Sequence, residues 1–418
     1  MHGAYQYKDG EFCVEDVPVS RITQSVGTPC YIYSYGVLRD SFVKYREAFS
    51  DIDTLICYSV KANSNLGILK SFADLHSGYD IVSLGELERV KRAGGDPSKV
   101  VFSGVGKTAQ EMKAAIEAGI LFFNVESQEE LELLNGLGIE LGKKAPVALR
   151  VNPDIDPDTH PYISTGFKKS KFGIEIGKAI EVYKKASKME GIRVVAIDAH
   201  IGSQIFDLTP FTDSVKKLVK LADDLVGAGI NIEYIDIGGG LGISYKKDEK
   251  PPHPKEYADL IKAVLRGKSY KLVLEPGRSL IGNAGMLVTK VLYIKEGAAK
   301  KFVIVDAAMN DLIRPAFYES YHEILTVRES DGAGEVVDVV GPICESGDFL
   351  ALDRELPKVK TGDLLTVLSA GAYGFVMSSN YNTRPRVPEV LVKGKEFRVV
   401  RKRETYDEML SGETVPDF

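Results

Sequence analysis

Short groups of residues, far apart in the chain, carry side chains that could do chemistry together. Lys61 follows the apolar run Thr54-Leu-Ile-Cys-Tyr-Ser-Val60 and opens into Ala62 and Asn63. His200-Ile-Gly-Ser-Gln204, Gly238-Gly239-Gly240 and Glu275-Pro-Gly277-Arg278 likewise stand at the ends of apolar runs. A primary amine can hold an aldehyde as a Schiff base. Consecutive glycines let backbone amides converge on an anion. Together with an imidazole and a carboxylate beside a guanidinium, these groups describe a pocket for pyridoxal 5′-phosphate. Plainer readings exist for each: a lysine at a strand end reaches water, glycines make a tight turn, a glutamate pairs with a nearby arginine, and a lone histidine packs.

The elements that must position these groups form a steady rhythm. Apolar runs occur at 54–60, Tyr79–Ser83, Val100–Ser103, Ile120–Val125, Pro146–Val151, Arg193–His200, Ile232–Ile237 and Lys271–Leu274. Their lengths and their β-branched and aromatic content suit buried parallel strands. Helix-like stretches lie between them. Ser83-Leu-Gly-Glu86, Thr108-Ala-Gln-Glu111 and Ser127-Gln-Glu-Glu130 each match a capping box, and Gly closes several stretches, as in Glu117-Ala-Gly119. Strand–helix units repeated in this way predict a (β/α)8 TIM barrel, typically about 250 residues, with a doubly wound open sheet as the alternative. In a barrel, chemistry belongs at the carboxyl ends of the strands, which is where Lys61, His200, Gly238 and Glu275 fall.

After about residue 282 the texture changes to strand-like runs, Met286–Tyr293, Phe302–Asp306, Val336–Ile343 and Leu364–Leu368, punctuated by Gly and Asp. The expected organisation is an N-terminal segment, 1–35, joining the β domain; a barrel, 36–281; and a C-terminal all-β barrel domain, 282–418. Lys246–Lys255 reads as a polar loop.

Composition narrows the function. The 418 residues are 44% hydrophobic with a formal net charge of −6, and the basic residues are scattered, so no footprint for nucleic acid or an anionic membrane is expected. The first ten residues lack the apolar core of a signal peptide, no run approaches a membrane span, and a cytoplasmic location is expected. Cys13, Cys30, Cys57 and Cys344 are too sparse for a disulfide framework or a CxxC metal site, so no metal is expected. Cys13, Cys30 and Cys57 sit in apolar surroundings and read as core residues.

Motif-like stretches mislead. Ser103-Gly-Val-Gly-Lys-Thr108 resembles a phosphate-binding P-loop, but the first glycine of that pattern is Val101 here. Gly238-Gly-Gly-Leu-Gly-Ile243 begins like a dinucleotide fingerprint, ends on Ile243, and follows the seventh strand, not the first. The loops after strands 7 and 8 of a barrel are a usual phosphate site.

The stretches YSVKAN, HIGSQ, GGGLG, EPGR, CESGD and GAYG, in this order and spacing, resemble the diaminopimelate decarboxylase family over essentially the whole chain. That family has an alanine-racemase-like barrel followed by a β-barrel domain. The resemblance implies pyridoxal phosphate bound through Lys61, and Glu275 against the pyridine nitrogen. It further implies His200 stacked on the ring, and a phosphate site from Ser203, Gly238, Gly239, Gly240, Gly277, Arg278 and Tyr373. Cys344 would return a proton, from a loop reaching the neighbouring subunit's site, which makes an obligate homodimer. For the substrate, Arg278, Arg314, Tyr318 and Tyr373 would hold the distal carboxylate of meso-2,6-diaminopimelate and Glu345 its ammonium. The product would be L-lysine. Alternatives are a decarboxylase of the ornithine or arginine type and a non-catalytic homologue; the latter would be expected to lack Lys61 or Cys344, and both are present.

Overall fold

The structure, a computed structural model, describes residues 4–155, 171–330 and 332–418. The chain divides into two units. One comprises Arg39–Ile243 with Lys250–Leu280, and the other comprises residues up to Leu38, Ser244–Glu249 and Ile281–Phe418.

The first unit is built on eight strands: β1 (Thr54–Ser59), β2 (Gly78–Ile81), β3 (Val100–Phe102), β4 (Phe122–Val125), β5 (Ala145–Asn152), β6 (Ile192–Asp198), β7 (Tyr234–Asp236) and β8 (Lys271–Leu274). Each pairs in parallel with the next, and β8 returns to β1 with Leu272 opposite Thr54, so the ring closes into the predicted barrel. The predicted runs are the strands of this ring, in order. A short parallel addition, Ile174–Glu175, extends β5.

Apolar side chains fill the ring because a closed parallel sheet shows water neither face. Cys57, Val101, Phe122, Ala148, Val195, Ala196 and Val273 form a buried cluster, and Cys57 is the small core residue expected. Helices flank the strands, and their starts show how the capping signals act. Thr108 makes the full box with Glu111. Ser83 and Ser127 accept the backbone N–H of Glu86 and Glu130 as expected, but those glutamates reach one residue further back, to the N–H of Val82 and Glu126. Each thereby ties the strand end to its helix. Gly119, at φ 70°, closes the helix Ala109–Ala118 in a left-handed turn.

The second unit is a β structure whose main sheet has nine strands. The twelve-residue strand Gly285–Glu296 is its spine, and pairs antiparallel with Cys30–Ser34, Leu364–Val367 and Lys301–Val305. Cys30–Ser34 also pairs in parallel with Glu389–Lys393. Buried tyrosines in this N-terminal strand are satisfied: Tyr31 donates to the Asp311 carbonyl at 2.6 Å and Tyr33 to Glu389 at 2.8 Å. Cys13 and Cys30 are buried here. No described helix is long and apolar enough to cross a membrane.

Candidate active site

Lys61 leaves β1 on a single helical turn, Val60–Ala62. Its Nζ lies 2.7 Å from Asp80 Oδ2, which also accepts from Ser59 Oγ at 2.6 Å. Asp80, at the end of β2, is fully buried, whereas the Lys61 side chain keeps 37% of its exposure. The amine is thus aimed by a buried anion yet remains reachable.

His200 follows β6, and its Nδ1 accepts the Gly239 N–H at 3.3 Å. That bond leaves Nε2 as the protonated nitrogen of a neutral ring. Desolvation, then the Arg150 and Lys61 charges, drives the imidazole pKa well below its ordinary value, so the ring is uncharged at neutral pH. The glycine loop after β7 has no room for side chains. A Cβ on Gly238 would lie 2.5 Å from His200 Nδ1, on Gly239 2.3 Å from the Glu275 carbonyl, and on Gly240 2.5 Å from the Gly202 carbonyl. Gly238 and Gly240 also hold positive φ, 65° and 118°. Gly277 lets the segment after β8 approach Ser59 and Ala62, where a Cβ would have only 3.0 Å. Ser203 Oγ accepts from Arg278 Nε and Nη2 at 3.3 and 3.2 Å. These contacts join Lys61, His200, Ser203, the glycine loop, Glu275, Gly277 and Arg278 into one cluster at the carboxyl ends of the barrel strands. Close packing is therefore the reason for the glycines, beyond a tight turn alone.

Glu275 is buried, and its Oε1 accepts from Asn124 Nδ2 at 3.0 Å and Ser103 Oγ at 3.4 Å. Burial first, then the Asp80 charge, pushes its carboxyl up to about 7 against the pull of Lys61 and Arg150. It does not pair with Arg278, whose guanidinium holds Ser203 instead.

Several charged and polar residues of this region were not foreseen. Asp80, Asn124, Arg150, Asp198 and Asp236 are buried on β2, β4, β5, β6 and β7. Arg150 binds Glu126 at 2.8 Å, with Asp198 3.9 Å from its Nε. Each interrupts an apolar run, as in Gly-Tyr-Asp80-Ile and Tyr-Ile-Asp236-Ile, and such an interruption could have marked it. Lys107 of the false P-loop is structural: it is buried, 2.7 Å from Glu130, and donates to the carbonyls of Gly104 and Asn124.

The remaining predicted residues lie in the β unit. Arg314 is buried at the start of the short helix Arg314–Tyr318, donates to Tyr245 Oη and Ser320 Oγ, and faces the rings of Tyr245 and Tyr318. Tyr245 belongs to the segment Ser244–Glu249, which overlaps the polar loop read at Lys246–Lys255 but begins before it. Cys344 is an exposed free thiol whose backbone N–H is held by Asn382 Oδ1. Glu345 Oε1 accepts the Gly347 N–H, and Asp348 pins the same loop by accepting from Met309 and Ile343 at 2.7 Å each. Tyr373 takes a left-handed backbone, φ 56°.

Residues 36–282 match the family of the pyridoxal-dependent decarboxylase, pyridoxal binding domain. Diaminopimelate decarboxylase of Pseudomonas aeruginosa is 54% identical over 411 residues, 98% of this chain and 99% of that protein. That of Aquifex aeolicus is 52% identical over 402 residues, 96% and 95% of the two chains. The crystal structure of diaminopimelate decarboxylase from Helicobacter pylori complexed with L-lysine, 42% identical, superposes with a TM-score of 0.91 over 94% of this chain and 98% of that one. The chain belongs to the diaminopimelate decarboxylase family.

The family is pyridoxal phosphate-dependent, and that cofactor carries an aldehyde, a phosphate and a pyridine nitrogen, which the barrel residues fit. Lys61 supplies a reachable amine. The Gly238–Gly240 loop, packed too closely on His200, Gly202 and the Glu275 carbonyl for any Cβ, offers bare backbone to an anion. Buried Glu275, with no cation within ion-pair distance among the described residues, is a carboxylate fitted to receive a cationic ring nitrogen.

Proposed function

We propose that the chain decarboxylates meso-2,6-diaminopimelate to L-lysine and CO2, as a homodimer in the cytoplasm. The observation that carries the reaction type is Glu275: a buried carboxylate after β8, held by Asn124 and Ser103 and destabilised there as an anion. When bound, pyridoxal phosphate supplies the electron sink for the carbanion left as CO2 departs. Glu275 keeps the proton on the pyridine nitrogen by stabilising its charged form. Lys61 Nζ, aimed by Asp80, carries the cofactor and gives way to the substrate amine. Neutral His200 offers an uncharged flat face to the ring, so it does not compete with Glu275 for the positive charge. Ser203, Gly238, Gly239, Gly240, Gly277, Arg278 and Tyr373 would form the phosphate site, with the hydroxyls, the guanidinium and the Gly240 and Gly277 amides as donors, while the Gly238 and Gly239 N–H groups fix the loop on Asp236 and His200.

Substrate choice rests on the distal end. Arg314, backed by Tyr245 and Ser320, presents its guanidinium as a pre-aimed fork for a carboxylate; Arg278, Tyr318 and Tyr373 join it, and Glu345 takes the ammonium. Cys344 Sγ returns a proton to the reacting carbon, delivered from the second subunit on the loop that Asp348 holds. Borohydride reduction followed by peptide mapping should place the pyridoxyl group on Lys61; finding it on Lys107 or Lys171 would refute the anchor. In CO2-release assays kcat/KM should be highest for meso-diaminopimelate. Preference for ornithine or arginine would overturn the substrate assignment.

A further inference from the structure

The carboxyl groups at the barrel's carboxyl end outnumber its cations. Lys61 is matched by Asp80 at 2.7 Å and Arg150 by Glu126 at 2.8 Å. That leaves Asp198, Asp236 and Glu275, at most 6% exposed, with carboxyl oxygens within 4.8 Å of one another. Neutral His200 adds no positive charge. Asp198 still lies 3.9 Å from Arg150 Nε, and Glu275 has the Asn124 and Ser103 donors and, on the reading above, the cofactor's ring nitrogen. Asp236 has far less. Its Oδ1 accepts the Gly238 N–H at 2.9 Å, while its Oδ2 is sealed from solvent without a donor. A carboxyl oxygen of Asp236 lies within 4.8 Å of one of Glu275, both residues buried, and two carboxylates packed so closely away from water resist ionising together, so the pair retains a proton.

We infer that Asp236 is a positioning residue for Glu275: its neutral, protonated carboxyl donates a hydrogen bond to the Glu275 carboxylate and leaves Glu275 as the anion that faces the cofactor. With Arg150 beside Asp198 and, in the holoenzyme, the ring nitrogen beside Glu275, Asp236 is the member of the trio left without a cation, so it keeps the proton. Burial, then the Glu275 and Asp198 charges, raises its pKa well above the ordinary carboxylate range, in the same direction. The geometry also explains why the residue before the glycine loop is acidic. One oxygen fixes the loop through Gly238, and the other fixes Glu275. A rotation of the loop would therefore disturb both the anion cradle and the ring-nitrogen partner.

This inference rests on the assignment of Glu275 to the pyridine nitrogen and is tested on the holoenzyme with two variants. Asp236→Leu keeps the number and branching of the side-chain heavy atoms and removes both hydrogen bonds. Its kcat should fall by about 10- to 150-fold, the usual worth of a hydrogen bond to a charged group, with the acid limb of the pH profile moved upward because Glu275 loses a donor to its ionised form. Asp236→Asn offers Oδ1 to Gly238 and Nδ2 to Glu275, and should restore kcat to within about threefold of the parent and return the acid limb to its parental position. Infrared spectra of the parent at neutral pH should contain the carbonyl band of a buried, protonated carboxylic acid that Asp236→Asn lacks. If Asn is as damaging as Leu, if that band is missing from the parent, or if metal analysis finds a stoichiometric divalent cation lost in Asp236→Asn, the inference is overturned. Full activity of Glu275→Gln would instead overturn the role of Glu275, and the infrared band would still report the proton on Asp236.

Discussion

Replacing Glu275 with Gln separates what the residue does for the fold from what it does for the reaction. In the cofactor-free protein the carboxyl is raised from 4.5 to about 7, chiefly by burial. The folded state then holds a proton that the unfolded chain has released between those values, so the contribution of this group is fully present below pH 4.5 and lost as pH rises through 7. At 1.36 kcal/mol per pH unit, the ionised form costs the apo fold on the order of 3 kcal/mol above pH 7. Gln is neutral at every pH, and its Oε1 can keep the bonds from Asn124 and Ser103. Apo Glu275→Gln should accordingly be more stable than the parent at pH 8, by roughly 5 to 10 °C in the barrel's unfolding transition, and nearly equal to it at pH 4.5. Its decarboxylase activity should collapse, since an amide cannot hold the ring nitrogen's proton by charge. Scanning calorimetry of both apo proteins across this pH range, with CO2 release from the holoenzymes, is the assay. A variant less stable at pH 8, or a stability difference independent of pH, would refute the argument.

Other outcomes follow from the same geometry. Arg314→Ala should lower kcat/KM for meso-diaminopimelate by about 10- to 150-fold through loss of a charge-assisted contact, and Arg314→Lys should recover only part of it, because an ammonium cannot offer a carboxylate the planar two-nitrogen fork of a guanidinium whose Nη2 is already oriented by Tyr245 and Ser320; steady-state kinetics decide this. Mixing inactive Lys61→Ala with inactive Cys344→Ala subunits should restore activity, one hybrid site keeping both groups, and no recovery despite demonstrated subunit exchange would remove the shared site. Lys107→Met breaks a buried ion pair and two carbonyl contacts, so it should cost about 3 to 5 kcal/mol of stability, while kcat per folded, cofactor-loaded molecule stays near the parent's.

The barrel was legible because its strands are buried on both faces and read as apolar runs, and because a strand-end rule turns a run's last residue into a site candidate. Lys61, His200 and Glu275 were found that way. The groups that tune them were not, because Asp80, Asn124, Arg150, Asp198 and Asp236 lie inside the runs, where a polar residue looks like noise in a hydrophobic pattern. Their pairing is three-dimensional: Asn124 on β4 serves Glu275 after β8, and no spacing in the sequence connects them. In the β unit, Phe349–Pro357 was missed because Asp353, Arg354 and Glu355 mask its alternation. Tyr245 lies just before the stretch Lys246–Lys255 that reads as a polar loop, and nothing in the local sequence connects it with Arg314, which donates to its hydroxyl.

The strand Cys30–Ser34 has a consequence for how the polypeptide is made. Its antiparallel partner begins at Gly285 and its parallel partner at Glu389, so it emerges from the ribosome long before either exists. At ordinary translation speeds of about 5 to 20 residues per second, on the order of 10 to 50 s pass before Gly285 is joined. Throughout that interval a fully buried, tyrosine-rich segment of the finished protein has both hydrogen-bonding edges open. The intervening residues are those of the barrel, which can close meanwhile. The strand thus waits for partners that are made only after the barrel sequence is complete, and its open edges are the part of the nascent chain most exposed to wrong pairing.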